Sequence, residues 1–252
     1  MKERCLELYQ PLRELSVDKR MVKSKARTHL RQYIRNKPTK WGFKFWVLAD
    51  PTGYTLDFNV YCGGWGTPCT PNGLGFDVVT NLVRPFEQQG YYLFIDNFYT
   101  SPALVQKLEE VGIRSTGTLQ TNRRNMLEDV QQLQAALKAK QIPRGTAYYI
   151  RQPSSFCVYV CWRDKEVVTL MSNAYPGHQD GTVRRRSKDS AGASATLDVP
   201  LPAVVKNYNA YMGGVDKSDQ LISYHRVIRQ TKRYWKTLFY HIVEIAATNS
   251  FV

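Results

Sequence analysis

Apolar and polar positions along this chain fall into short, distinct rhythms. Residues 42–64, GFKFWVLADPTGYTLDFNVYCGG, are two β-rich runs on either side of the turn-forming string Asp50-Pro51-Thr52-Gly53, and they predict a hairpin. Residues 63–75 are rich in Gly, Pro and Thr and read as loop. Apolar residues then recur at 78, 79, 82, 83 and 86, the spacing of a helix over residues 76–87. YYLFID (91–96) is the continuous apolar run of a strand buried on both faces. Ser101-Pro102 supplies an N-cap followed by proline at the first helical position, and the helix it opens stops at Gly112. IRSTGTL (113–119) returns to strand, so a right-handed parallel crossover is the default connection.

Residues 122–144 are polar and Gln-rich, with a helical pattern around 126–137, and read as a surface excursion. Three β-rich runs follow at 147–150, 156–162 and 167–171, expected as an antiparallel hairpin or meander. Residues 178–196 hold Arg184-Arg185-Arg186 among Gly, Ser and Ala and are expected to be flexible. Residues 204–252 read as two helices joined near 228–232. Together the rhythms make an α/β fold with a mixed sheet, flanking helices and an insertion at about 122–200.

Composition narrows what such a fold does. At 252 residues, 43% hydrophobic and 12% aromatic, the chain has apolar surface for one ordinary domain or two small ones, which excludes wholesale disorder. No apolar run approaches the roughly 18 residues of a membrane span, and the charged start carries no secretory signal. Five cysteines, an odd number without C-x2-C pairing, fit a reducing compartment rather than a disulfide or zinc framework. The excess of 35 Lys+Arg over 21 Asp+Glu gives +14, the signature of a polyanion partner, with nucleic acid first. Residues 1–40 hold many of these cations, including Lys37 and Lys40, and read as a basic arm, either solvated or in contact with phosphate.

Candidate chemistry lies in the acids. Asp50 and Asp96 each end an apolar run. If their strands are neighbours, both carboxylates emerge at one sheet edge, where ligands of α/β sheets bind. Two like charges there repel unless a cation intervenes, and an all-oxygen cluster selects Mg2+ or Mn2+. Alone, each reads first as a turn or cap residue. In MGGVDKSDQL, Asp216 and Asp219 share a helical face, either as acids complementing a helix start or as late arrivals at a metal. His225 and His241 lack companion ligands and read as packing or surface residues. Tyr234-Trp235 stands among Arg229, Lys232, Arg233 and Lys236, a pattern of stacking plus phosphate contact. The competing reading is an amphipathic helix burying Trp235, Leu238 and Phe239. Arg123 and Arg124 are further candidates for DNA, or solvated loop residues.

Four blocks in order, NKPTKWGFKFWVLADPTGY (36–54), GYYLFIDNFYTSPALVQKL (90–108), STGTLQTNRR (115–124) and YNAYMGGVDKSDQL (208–221), followed by KRYWKTLFYHIVEIAATNSFV, make the sequence resemble the transposase domain of piggyBac transposons and the host genes derived from them. The resemblance runs from about residue 35 to 252. It implies an RNase H-like DDE/D core over 41–252, with Asp50, Asp96 and Asp216 holding two Mg2+ or Mn2+ ions and Asp219 assisting. The implied activity is cleavage and transfer of double-stranded DNA at transposon ends and TTAA targets, in the nucleus, with a homodimer as a further expectation. Family members extend further at the N-terminus and carry a cysteine-rich zinc-binding tail. Relative to them the sequence reads as a catalytic core without that tail. Two functions follow: a metal-dependent transposase core, or a truncated or domesticated derivative that binds DNA without transposing. A carboxylate-based hydrolase of small molecules fits the basic residues poorly.

Overall fold

The computed structural model describes residues 1–252 apart from 36, 64–68, 121, 125, 140, 153–155, 189–193, 225 and 227–230. The chain forms two compact units, Met1–Phe94 with Tyr211–Val252, and Ile95–Ala210.

In the first unit, helix α1 (Lys2–Leu8) precedes strands β1 (Glu14–Lys23), β2 (Arg31–Tyr33), β3 (Trp41–Ala49) and β4 (Thr55–Val60). Helix α2 (Leu74–Val83), extended by a 3-10 turn at Arg84–Phe86, and strand β5 (Tyr92–Ile95) follow. The expected hairpin is β3–β4, closed at DPTG and paired antiparallel from Phe45↔Val60 to Ala49↔Thr55. The opposite edge of β3 pairs antiparallel with β1 from Ser16↔Ala49 to Lys23↔Gly42, and the strands run in the order β2-β3-β1-β5. Two expectations change here. Residues 14–23 are not an arm but an inner strand, because Leu15, Val17 and Val22, at 4% exposure or less, carry a buried β pattern that the interleaved charges conceal. Asp50 and Asp96 do not follow neighbouring strands, since β1 lies between β3 and β5.

One face of this unit gathers Val22, Phe43, Phe45, Val47 and Phe58 under Val215, Ile222 and Ile245. Those last three come from helices α6 (Gly214–Tyr224) and α7 (Tyr234–Asn249). β3 is apolar almost throughout, as the run GFKFWVLA requires of a strand covered on both faces.

In the second unit, Ser101 caps helix α3 (Pro102–Glu110) by accepting from the Leu104 N–H at 3.3 Å, and Gly112 ends it at φ +73°. Strand β6 (Arg114–Thr118), helix α4 (Glu128–Leu137) and strands β7 (Ala147–Arg151), β8 (Val158–Arg163) and β9 (Val167–Ser172) follow, ordered β6-β9-β8-β7 with antiparallel pairing. The meander is as expected. β8 divides its side chains by parity. Cys157, Tyr159 and Cys161 pack with Val105 of α3 and Val130 and Leu137 of α4, while Val158, Val160 and Trp162 pack with Val199, Leu201, Val204 and Val205.

Helix α4 is therefore a cover of the core and not a surface excursion. Its Gln residues conceal the apolar stripe of Val130 and Leu137, both fully buried. The Arg-rich stretch, expected to be flexible, is strand where it is described, with 189–193 outside the described residues. Strands β10 (Gln179–Lys188) and β11 (Ser194–Pro202) form an antiparallel hairpin, with Arg185 3.0 Å from Asp164 and Val199 and Leu201 anchored in the core. Helix α5 (Ala203–Tyr211) completes the unit. Among the described residues, 203–249 hold three helices rather than two, because the chain breaks at residues 212–213 where the apolar pattern runs on.

Candidate functional site

In the first unit the site is built where the β3–β4 turn meets the first turn of α6. Asp50 is fully buried and its carboxylate is surrounded by donors. Oδ1 accepts from the Thr52 N–H at 3.0 Å, the Thr52 hydroxyl and the Tyr54 N–H at 3.2 Å. Oδ2 accepts from the Tyr9 hydroxyl at 2.8 Å and the Leu12 N–H at 3.5 Å. The turn therefore uses one carboxylate oxygen, and the segment after α1 uses the other. Tyr9 is held there by stacking on Tyr54, with ring centroids 4.0 Å apart and planes at 14°. Burial is the main cause that pushes the Tyr9 hydroxyl pKa up; the Thr52 hydroxyl opposes it and the Asp50 carboxylate adds to it, so the phenol stays a donor.

Helix α6 lies close on this turn. A Cβ on Gly214 would stand 2.5 Å from the Asp50 carbonyl oxygen and 2.6 Å from the Ser16 hydroxyl, so only glycine admits the approach. Gly53, at φ +93°, faces Ser218 N and Leu221 in the same way, and Lys217 Nζ donates to the Pro51 carbonyl at 3.3 Å. These contacts bring together Asp50 and the helix start that carries Asp216, which is exposed in the first turn.

Asp219 is engaged differently. It pairs with Nε of Arg20, whose side chain is 3% exposed, while Arg20 Nη2 donates to the Ser218 hydroxyl at 2.7 Å and Ser218 meets the Thr55 hydroxyl at 2.9 Å. This network borders a cavity of about 420 Å3 lined among others by Arg20, Asp216, Asp219, His241 and Glu244. His241 is buried, with Nδ1 3.2 Å from Glu244 Oε2 and its ring against Phe45. Burial is the main cause that lowers its pKa, as does the Arg20 charge, while Glu244 and Asp219 oppose the shift.

Asp96 belongs to the second unit. Its Oδ1 accepts from the Phe98 N–H at 2.8 Å, and its backbone carbonyl accepts from the Tyr99 and Thr100 N–H groups and the Thr100 hydroxyl. The turn leads directly into the Ser101 cap. Arg123, a candidate for DNA, donates Nη2 to the Asn97 and Phe98 carbonyls at 2.5 and 2.6 Å, so it ties down the loop that follows Asp96. Gly117 permits close contact beneath it, for a Cβ there would fall 2.2 Å from Thr100 Oγ1.

Of the remaining candidates, Lys37 reaches Asp18 at 3.7 Å, Lys40 and Arg124 are exposed, and Lys232 and Arg233 are exposed before α7. Lys236 lies 5.5 Å over the Trp235 ring. Arg229 and His225 fall outside the described residues. Trp235 and Phe239 are not buried as the amphipathic reading expects. They are 52% and 58% exposed, because α7 turns Thr237, His241, Glu244, Ile245 and Thr248 inward. Sequence reasoning passed over Tyr9, Arg20 and Glu244. A usable signal existed for Arg20, which shares strand parity with the buried Val22.

Carboxylates suit Mg2+ or Mn2+ by ligand type. Among the described residues, however, no three His, Cys, Asp or Glu side chains are arranged to hold a metal ion. The Asp50 carboxylate is moreover already surrounded by five donors for about four lone-pair positions. No helix of the described residues is long and apolar enough to cross a membrane.

A family model described as Transposase IS4 matches residues 1–251. The chain is 31% identical over 254 residues to human PiggyBac transposable element-derived protein 3, covering 99% of this chain and 42% of that protein. It is 29% identical over 226 residues to human PiggyBac transposable element-derived protein 2, covering 87% and 37%. It thus spans less than half the length of these curated relatives. Among solved structures it is similar to a piggyBac transposase in a synaptic complex with hairpin DNA, with a TM-score of 0.80 and 28% identity over 99% of this chain and 48% of that one.

Proposed function

We propose that the chain, which belongs to the Transposase IS4 family and is similar to piggyBac-derived proteins, is the catalytic part of a piggyBac-type DNA transposase, acting on double-stranded DNA with a divalent cation. Asp50, Asp96 and Asp216 would hold Mg2+ or Mn2+, with Asp219 supporting them. The observation that carries this reading is the seating of Gly214 on the Asp50 carbonyl, which brings a turn and a helix start from distant parts of the chain, each bearing a carboxylate, to one corner. Bound divalent ions supply the charge that stabilises attacking and leaving oxygens at phosphorus. The chain supplies the rest: the DPTGY turn orients Asp50, the Arg20–Asp219–Ser218 network fixes α6 under Asp216, and the Asp96 turn and Arg123 fix the start of α3.

DNA as partner is supported by the +14 charge and by the hairpin DNA in the similar solved structure. Lys40, Arg124, Lys232, Arg233 and Lys236 are the cations left to meet phosphate. Recognition of transposon ends, TTAA targets, a homodimer and a nuclear location belong to the same proposal. The test is incubation of the protein with hairpin or transposon-end DNA and Mn2+, beside Asp50→Asn and Asp96→Asn. Strand cleavage by wild type alone is the expected result. Equal background from all three with DNA still bound supports the second reading, a DNA-binding derivative without transposition, which the donor-filled carboxylate of Asp50 favours.

A further inference from the structure

We infer that the end of the sheet opposite Asp50 carries a second DNA-contact site, a groove lined by Lys23, Lys25, Arg31 and Lys40 that takes the phosphate backbone of duplex flanking the reacting position. The inference rests on the reading of DNA as this chain's partner and adds where the duplex is held. That place lies about 30 Å from Asp50, since the nine residues of β3 separate the two at about 3.3 Å each.

Three segments bring the cations together. β1 ends beside the start of β3, with Lys23 opposite Gly42, and β2 pairs with the same start, with Arg31 opposite Phe43. A Cβ on Gly42 would fall 2.2 Å from the Val22 carbonyl oxygen, so glycine admits this approach. Past β1 the alternation of a strand continues. Ser24 and Ala26 are buried, at 6% and 1% exposure, which leaves Lys23 and Lys25 facing solvent. The groove so formed holds about 590 Å3 and is bordered on its far side by Lys40 and Trp41.

Its charge is of one sign. Among the described residues no Asp or Glu lines it, whereas the cavity beside Asp219 sets Arg20 and Lys37 against Asp216, Asp219 and Glu244. Four like charges around one groove repel one another, and a polyanion relieves that repulsion. Arg31 is also pre-set for phosphate. Its guanidinium lies 4.7 Å over the Trp41 ring, and Tyr33 packs on the same ring with centroids 4.9 Å apart. Stacking fixes the plane of the guanidinium and keeps its N–H edge a donor to phosphate oxygens. Because duplex DNA rises about 3.4 Å per base pair, one duplex running from Asp50 to the groove covers about nine base pairs.

The experiment is fluorescence-anisotropy titration of the full chain with hairpin DNA between about 50 and about 200 mM salt, using stems of about six base pairs, too short to reach the groove, and about twenty, long enough to pass it. Wild type is compared with Lys25→Gln/Lys40→Gln and with Lys138→Gln/Lys165→Gln, an equal loss of charge in the second unit. All four side chains are exposed, so melting temperatures near wild type are expected. Wild type is expected to bind the long stem more tightly than the short one. The groove variant is expected to lose that preference, and its salt slope on the long stem is expected to fall by about two, one for each phosphate contact removed. The second-unit variant is expected to keep both. If the groove variant keeps the preference and the slope, or the second-unit variant loses as much, the groove is overturned while DNA stands as a partner. If wild type binds neither stem, the DNA reading itself is overturned.

Discussion

Asp219→Asn decides what the Arg20 pair contributes. The substitution keeps the shape of the side chain and removes its charge, leaving the Arg20 guanidinium on β1 with the neutral Ser218 hydroxyl on Nη2 and with Nη1 buried without a partner. Breaking a buried ion pair by deleting one partner costs about 3–5 kcal/mol, because the other charge stays buried and uncompensated. Asp219 is 36% exposed against 3% for Arg20, so part of the attraction is already screened and the lower end, about 3 kcal/mol, is expected. Arg20→Met is the informative contrast. It removes the buried charge, fills the space with an apolar chain, and leaves Asp219 to be hydrated through its exposed third, so a cost of about 1 kcal/mol is expected. The double variant should then match Arg20→Met, since Asp219→Asn has no buried cation left to orphan.

Urea unfolding followed by tryptophan fluorescence reads mainly the first unit, which holds Trp41, Trp46, Trp65 and Trp235 against Trp162 in the second. Midpoints compared at constant slope give the differences. A cost for Asp219→Asn below that of Arg20→Met, or within about 0.5 kcal/mol of wild type, would refute the reasoning. Under the proposed function, loss of cleavage in Asp219→Asn would then follow from a loosened α6, and in Asp50→Asn from loss of the proposed ligand.

Two further predictions address single contacts. The lowered pKa of His241 means that the folded protein takes up its proton later than the unfolded chain, so stability should fall as pH drops below about 6.5. Measured between pH 7.5 and 5.5, His241→Gln, which keeps a donor for Glu244 but cannot titrate, should lose less stability than wild type, and an equal loss assigns the pH dependence elsewhere. In the second unit, Ser101→Ala removes the cap on Leu104 N–H and should cost about 1 kcal/mol, read as faster amide exchange in the first turn of α3.

What the sequence made legible follows from how local each cause is. The β3–β4 hairpin, the Ser101 cap and the Gly112 stop are written in a few adjacent residues and appear where expected. β1, α4 and the β10–β11 hairpin were misread because composition outweighed phase. Lys and Arg interleave with buried Leu15, Val17 and Val22, Gln surrounds Val130 and Leu137, and Arg184–Arg186 precede a strand whose core contacts lie at Val199 and Leu201. The order β3-β1-β5 was beyond local reading altogether, since nothing near Asp50 or Asp96 announces the strand that lies between theirs.

The site shows why the acids were hard to assign. A turn residue and a cation ligand were competing readings of Asp50, as though one carboxylate could serve only one. The structure divides the work by atom: Oδ1 closes the DPTGY turn with three donors, while Oδ2 faces the segment after α1 and is held chiefly by one phenol. The turn thus fixes the carboxylate through Oδ1 and so sets where Oδ2 meets the Tyr9 hydroxyl. The same division separates Asp216 from Asp219. Both lie on one face of α6, but Asp219 is paired with Arg20 and so fixes the helix, while Asp216, one turn earlier, is exposed. A short acidic motif thus contains one residue that anchors the helix and one that faces solvent, and the buried partner on β1 distinguishes them.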